Sequence, residues 1–413
     1  MFRPLWEVSE NMLNGKTVLL GVSGGIAAYK SAELVRLLVG QGASVHVVMT
    51  ASAQRFVTPL TFQTLSNNAV GTDMFGMEPD SRIGHIQKAR IPDLVIVAPA
   101  TANLMAKMAA GIADDYLTTI LLATTAPVLV CPAMNVKMWE HPATRRNLKV
   151  LAELGYEIQQ PGTGSLACQE EGAGRLAELD DIIESALRML TPPSLAGRRV
   201  LVSAGPTWEY FDPVRFIGNP SSGKMGFALA KIAARRSARV HLVSGPCCLD
   251  GPAGVERICV TSAQEMRDVI FDLSPHLDAI VMAAAVSDYR PAERSPRKLK
   301  KKDAEAHTIV LEPNADILAC LGKVKPSNQA LVGFAAETEN ILENAKGKLV
   351  RKNLDFIVAN DLAQEGCGFG HDTNQVSIIE RNGAVTNLPP MTKEQVASEI
   401  WDRIERLIAG GKN

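Results

Sequence analysis

Two stretches of this chain open alike, and the shared pattern restricts its fold more than any other feature. Lys16–Val22 is a short aliphatic run that leads into Ser23-Gly24-Gly25. An apolar repeat of helical period follows from about Ala27 to Val39, with Leu34, Leu37 and Leu38 on one face. After Gly40 and Gly42 comes a second aliphatic run, Val45–Met49. Strand, glycine-rich turn, helix and strand in that order make a β-α-β unit. The second opening is Arg199–Ser203 and Ala204-Gly205-Pro206, with a helical pattern from about Ser222 to Arg236 and the run Arg239–Val243. Here about 18 residues rich in Gly and Pro separate strand from helix, and so long a connection inside a compact domain is more often functional than not.

Leu94–Ala98 and Val128–Cys131 read as further strands of the first half. Ala279–Ala283, Leu331–Phe334 and Phe356–Ala359 do so in the second, with helical patterns between them. The expected fold class is α/β: two doubly wound, Rossmann-like or flavodoxin-like domains with mainly parallel sheets. Aromatic residues are only 5% of the chain, so the core has to be built from Ala, Val, Leu and Ile, which suits parallel strands buried on both faces. Thr191-Pro192-Pro193-Ser194-Leu195-Ala196-Gly197 reads as a linker. The expected domains are residues 1–190 and 198–413, joined by 191–197, with ligands at the carboxyl ends of the strands.

Charge and cysteine content exclude several classes. Lys and Arg number 43 against 44 Asp and Glu, without the basic surplus of a nucleic-acid binder. The seven cysteines are odd in number and form no CxxC pair, which argues against a disulfide framework or a four-cysteine zinc site. No run of about 18 apolar residues offers a membrane-spanning helix. The first 20 residues carry Glu7 and Glu10 and no apolar core, unlike a secretory signal, so the cytoplasm is the expected location.

The first glycine loop, Gly21-Val22-Ser23-Gly24-Gly25, can bring backbone N–H groups and a helix N-terminus to an anion. It is not GxGxxG, and the next strand ends in Met49-Thr50 rather than in an acidic residue that would read an NAD ribose. Thr50 and Ser52 offer hydroxyls instead, which favours a monophosphate such as FMN over a dinucleotide; a tight turn without ligand is the alternative. The second loop contains Gly218-Asn219-Pro220-Ser221-Ser222-Gly223-Lys224-Met225, close to a P-loop. Met225 stands where a magnesium-binding hydroxyl is required, and the strand ends far upstream, so that reading fails. An anion site and an ordinary helix cap both remain open.

Other segments are too particular for generic punctuation. His85, in Ile83-Gly84-His85-Ile86, precedes the strand Leu94–Ala98; it reads as a functional group or as a surface or satisfied residue. Ala98-Pro99-Ala100-Thr101-Ala102-Asn103 and Pro132-Ala133-Met134-Asn135-Val136-Lys137-Met138-Trp139 each follow a strand end, and an Asn there can hold a carboxylate through its amide hydrogens. Cys168, in Gly164-Ser165-Leu166-Ala167-Cys168 with Gly172 and Gly174 beyond it, lies in a loop or lid rather than a core.

In this order the segments of the first half resemble the flavin-dependent cysteine decarboxylases. The second half resembles phosphopantothenate–cysteine ligases, on Asp212-Pro213-Val214-Arg215-Phe216-Ile217, Asn219, Ser221–Gly226, Ala283-Ala284-Ala285-Val286, Asp288-Tyr289-Arg290, Lys298-Leu299-Lys300-Lys301, Gly333-Phe334-Ala335-Ala336-Glu337-Thr338 and Arg351-Lys352-Asn353-Leu354-Asp355. From about residue 16 to 409 the chain is similar to the bifunctional decarboxylase/ligase family of coenzyme A biosynthesis. Gln169, Leu176, Trp208 and Pro220 depart from its usual residues, and Pro220 stiffens the loop beside Asn219.

The resemblance implies FMN, held by Ser23, Gly24, Gly25, Ile26, Thr50, Ser52, Thr101, Ala102 and Asn103. It implies CTP with Mg²⁺, the nucleotide meeting Met282, Ala283, Ala284, Asp288, Lys298, Ala315, Asp316, Ile317, Leu318, Phe334, Lys348 and Lys352; the metal ligands stay unassigned. The ligase would activate 4′-phosphopantothenate as an acyl-cytidylate, which cysteine's amine displaces, with Asn219 positioning the carbonyl. Charge crowding at phosphate needs a cation, and Lys298 in the run Arg297–Lys302 fits, although such a run is otherwise a solvated loop. The decarboxylase would take the product, 4′-phosphopantothenoylcysteine, with oxidation of its thiol carbon by FMN supplying the electron sink. His85 would be the base, Asn135 the carboxylate clamp and Cys168 the proton donor. The resemblance further implies a homo-oligomer with shared decarboxylase sites, and no nucleic acid or membrane partner. Flavin prenyltransferases share the first loop, but prenyl transfer needs neither Asn135 nor Cys168; a non-enzymatic relative would not keep His85, Asn135 and Cys168 together.

Overall fold

The structure, a computed structural model, describes residues 12–74, 84–165, 171–300, 308–337, 341–361 and 370–410. Cys168, Lys301 and Lys302 lie outside the described residues, and His85 is described in its backbone alone, within a helix. The chain divides into two compact units, Met1–Thr191 and Pro192–Asn413. Among the described residues, no helix is long and apolar enough to cross a membrane.

In the first unit β1 (Thr17–Val22), β2 (Ser44–Met49), β3 (Leu94–Ala100), β4 (Val128–Pro132) and β5 (Glu157–Ile158) form one parallel sheet in the order β2-β1-β3-β4-β5. Its helices are α1 (Ala28–Gly40), α2 (Pro59–Ser66), α3 (Gly84–Arg90), α4 (Ala102–Ala110), α5 (Tyr116–Ala123), α6 (Val136–Glu140), α7 (Pro142–Glu153) and α8 (Leu179–Leu190). The two-residue strand period sends Val18, Leu20 and Val22 of β1 into one core with Leu34, Leu38 and Ile182, and Leu19 into the opposite core with Met105, Leu117 and Leu151. Helices thus cover both faces, and that explains why every residue of β3 is buried. A hairpin, β6 (Gly162–Ser165) and β7 (Glu171–Arg175), stands apart from the sheet.

The second unit opens with β8 (Arg199–Ala204), the hairpin β9 (Trp208–Tyr210) and β10 (Phe216–Gly218), then α9 (Lys224–Arg235), β11 (Arg239–Ser244) and β12 (Val255–Cys259). It continues with α10 (Ala263–Leu273), β13 (Ala279–Met282), the paired β14 (Tyr289–Pro291) and β15 (Leu311–Pro313), α11 (Ile317–Val324), β16 (Ala330–Glu337), α12 (Ile341–Arg351) and β17 (Phe356–Asp361). β18 (Thr373–Asn374), β19 (Val376–Glu380), β20 (Val385–Asn387) and α13 (Lys393–Gly410) close it. The sheet order is β12-β11-β8-β13-β16-β17-β19-β20, parallel from β12 to β17 and antiparallel at the last two strands. In both units the strand order reverses beside the first strand, which opens a crevice at its carboxyl end.

Two expectations need correction. The second unit's first helix starts at Lys224, capped by Gly223 at φ +80°, and not at Ser222. Its long preceding connection contains the hairpin β9–β10, whose Trp208 and Phe216 rings stack at 4.2 Å.

Candidate active sites

In the first unit a cleft of about 630 Å³ opens at the carboxyl ends of β1, β3 and β4. Gly24, Gly25 and Ile26 form one wall, Thr101 and Ala102 a second, and Met134 and Asn135 a third. The walls are tied together by Ser23, whose buried hydroxyl donates to Pro99 O at 2.7 Å and accepts the Thr101 N–H at 3.0 Å. Gly24 is required by a close approach: a Cβ there would lie 2.3 Å from that of Ser52. Ser52 therefore backs the loop from behind. Thr50 fastens the end of β2, with its N–H on Val22 O at 3.1 Å and its hydroxyl accepting from Ala53 N at 3.2 Å. Thr50, Ser52 and the exposed Asn103 are not among the residues that line the cleft, whereas Ser23's neighbours Gly24, Gly25 and Ile26 are.

Asn135 caps α6, its amide oxygen accepting the Lys137 N–H at 2.8 Å. That fixes the side chain, and the amide's donor nitrogen is the half whose chemistry fits a carboxylate. The hairpin β6–β7 lies directly on this corner. Met134 N donates to Gly174 O at 2.8 Å, and a Cβ on Gly174 would come within 2.4 Å of Met134 O. Gly172 and Gly174 in the Cys168 motif thus let the hairpin seat, while Cys168 itself lies outside the described residues. Arg175, on β7, also lines the cleft; sequence reasoning missed it.

In the second unit the loops after β8 and β13 lace together. Ala285 N donates to Gly205 O at 2.9 Å, and Ser287 N to the Thr207 hydroxyl at 3.0 Å. Asn219 joins them by donating its Nδ2 to Ala285 O at 3.1 Å and Val286 O at 3.3 Å. Its donor half is therefore taken, and its oxygen is the half that faces outward chemistry as an acceptor. Ala284 N is likewise held by the Ser203 hydroxyl at 3.1 Å. Asn314, unremarked in the sequence, donates to Ser287 O at 2.9 Å and takes Asp288 O on its N–H at 2.8 Å, which draws Ala315 and Asp316 beside Asp288.

Other expected contacts are arranged differently. Ile317 is buried, and both it and Leu318 pack with the α10–α12 core, while Phe334 packs on the opposite face of the sheet with Ala283 and Met225. Lys352 donates to Asp316, with its Nζ at 2.8 Å from Oδ2, and Asp316 caps α11. Burial pushes Asp316 up, but the Lys352 ammonium and the Ala319 N–H outweigh it and hold the carboxyl below the usual carboxylate range. Lys348 lies in the last turn of α12, and its carbonyl accepts the N–H of Lys352 just past the helix end at 3.0 Å. Lys224 donates to Gly370 O at 3.0 Å and Asp372 Oδ1 at 2.6 Å, unlike a P-loop lysine. Lys298 is exposed in a loop. Among the described residues no group of three His, Cys, Asp or Glu is placed to hold a metal.

A family model described as DNA/pantothenate metabolism flavoprotein C-terminal domain matches residues 195–408, and one described as Flavoprotein matches residues 7–191. The coenzyme A biosynthesis bifunctional protein CoaBC of Bacillus subtilis is 50% identical over 400 residues, 96% of this chain and 98% of that protein. Its namesake in Escherichia coli is 45% identical over 395 residues, 95% of this chain and 97% of that one. A crystal structure of the C-terminal domain of a CoaBC protein is 42% identical, covers 53% of this chain and 99% of that one, and superposes with a TM-score of 0.46. The chain belongs to the family of coenzyme A biosynthesis bifunctional proteins.

Proposed function

We propose that the second unit joins cysteine to 4′-phosphopantothenate at the expense of CTP, and that the first unit decarboxylates the product to 4′-phosphopantetheine with FMN. The observation that carries this reading is the Asn135 corner: a fixed amide in the wall of a cleft whose other wall is a glycine-rich helix entrance. The cleft fits FMN in volume and in its cradle of Gly24, Gly25, Ile26, Thr101 and Ala102, which would hold the group. When bound, FMN supplies reversible oxidation of the substrate's thiol carbon. Asn135 holds the substrate carboxylate through its Nδ2. His85 takes the proton and Cys168 returns one, roles supported by their sequence motifs.

In the second unit a mixed anhydride with CMP gives the poorly reactive carboxylate a leaving group. Among the described residues no acidic cluster is placed to hold a metal, so Mg²⁺ would come with CTP and would be held mainly by phosphate oxygens and water, because it dehydrates reluctantly. Lys298 offsets charge at the phosphates, while Lys352, paired with Asp316, shapes the nucleotide loop. Asn219 presents its amide oxygen, which suits the incoming amine of cysteine better than a carbonyl. Asn219→Ala is expected to slow amide formation from a supplied acyl-cytidylate at least about tenfold and to leave pyrophosphate release nearly unchanged. Equal losses in both halves would remove Asn219 from this role. Around the first cleft Ile26, Tyr29 and Met138 are 63%, 61% and 49% exposed, which supports a site completed by a second copy of the chain.

A further inference from the structure

The second unit contains a buried carboxylate that none of the chemistry above uses. Asp212 is 0% exposed and lies in the turn between β9 and β10. One oxygen accepts the N–H groups of Val214 and Arg215, both at 2.8 Å. The other accepts Arg215 Nε at 3.0 Å and, across 87 residues of sequence, the N–H of Leu299 at 3.2 Å. Arg215 completes the grip, since its Nη2 donates to Leu299 O. Leu299 is thus held at both its N–H and its carbonyl by one ion pair. Four residues earlier, Ser295 N donates to Phe211 O at 2.9 Å, and the Ser295 hydroxyl closes a turn onto Arg297 O at 2.7 Å. The segment that carries Lys298 is anchored on both sides of the lysine, and the anchors are consecutive residues of the turn that leads, through β10, to Asn219.

We propose that Asp212 is a positioning residue of the ligase: through Arg215 and Leu299 it fixes the backbone on which Lys298 is presented, before the triphosphate arrives. Four hydrogen bonds to one buried carboxylate are more than the turn needs for its own closure, and the one from Leu299 N, with the Arg215 bond to Leu299 O, joins the turn to the Lys298 segment beside the Ser295–Phe211 contact. A flexible lysine on an anchored backbone meets developing charge without reorganisation, which is where most electrostatic stabilisation arises. The inference rests on the reading of Lys298 as the cation that faces the phosphates.

The test is a double-mutant cycle on the full-length chain, scored as pyrophosphate released from CTP and 4′-phosphopantothenate, with decarboxylation of supplied 4′-phosphopantothenoylcysteine as the internal control. Asp212→Asn, which puts an N–H₂ where Arg215 Nε and Leu299 N now donate, is expected to slow pyrophosphate release at least about tenfold, mostly in kcat, and to leave the control unchanged. Lys298→Gln is expected to lose as much or more. The double variant is expected to match Lys298→Gln alone, because Asp212 acts through the lysine. Multiplying losses, or a silent Asp212→Asn beside an impaired Lys298→Gln, would overturn the Asp212 role and leave the Lys298 reading standing. A silent Lys298→Gln would overturn both. Should Asp212→Asn not fold, Arg215→Gln, which removes the guanidinium from both Asp212 Oδ2 and Leu299 O, takes its place in the same cycle, with the same expected and contrary results.

Discussion

At the scale of single residues the structure separates groups that act from groups that hold. Asp212 belongs to the second kind, and its pH behaviour follows from its surroundings. Burial pushes its carboxyl up, but N–H groups of Val214, Arg215 and Leu299 and the Arg215 guanidinium outweigh this and hold it below the usual range. A depressed carboxyl contributes stability that is full above its unfolded value, about 3.9, and is lost as pH falls through its lower folded value. The difference in the second unit's urea midpoint between wild type and Asp212→Asn is therefore expected to stay constant from pH 8 to about pH 5 and to shrink only below about pH 4. A difference that already shrinks between pH 7 and 6 would contradict this. Gly322 gives a second prediction, with a reversed sign. It sits inside α11, where Ala is ordinarily better by about 1 kcal/mol. A Cβ there would fall 1.8 Å from Lys352 O, so Gly322→Ala is expected to destabilise the second unit by about 1–3 kcal/mol in urea unfolding. Neither role could be read from the chain alone, because Gly322 meets Lys352, 30 residues away, and Asp212 reaches Leu299 across 87 residues. The pairing of Lys352 with Asp316, and the orientation of Asn219 by two carbonyls, were hidden for the same reason.

At the scale of elements, what local pattern encodes was legible and what distant pairing encodes was not. The aliphatic runs at Thr17–Val22, Ser44–Met49 and Arg199–Ala204 are strands because buried parallel strands leave a continuous apolar signature. The two-residue β5, the outer strands β12, β19 and β20, and the hairpin β9–β10 left no such mark, being short, half-exposed or mixed in composition. The Asn135 corner was legible as a motif, but its capping role and the glycine seat of β6–β7 were not. Asp caps a helix as well as Asn does, so Asn135→Asp is expected to keep the fold while it replaces amide donors by a charge that repels a carboxylate. Decarboxylation should fall at least about a hundredfold in kcat/KM with thermal midpoint and flavin content near wild type, and a mild loss would remove the carboxylate from Asn135. Gly174→Ala is expected to lift the hairpin from Met134 and to impair decarboxylation alone, with ligation at the wild-type rate.

At the scale of the whole molecule the chain holds two units of the same construction, each with its crevice where the strand order reverses beside its first strand. The near-equal totals of acidic and basic residues hide a local difference: an exposed basic loop in the second unit, held by a buried acid. Consecutive chemistry in one chain means that the product of the second unit is the substrate of the first, so a variant dead in one reaction should still perform the other on supplied substrate. The most direct measurement follows from this. Purified chain is given 4′-phosphopantothenate, cysteine, Mg²⁺ and CTP, and products are followed by mass spectrometry. The account predicts 4′-phosphopantetheine, with CMP, pyrophosphate and CO₂ released in equal amounts. Asn135→Asp should stop the sequence at 4′-phosphopantothenoylcysteine. No CMP from the wild-type chain, or 4′-phosphopantetheine made by Asn135→Asp at the wild-type rate, would contradict it.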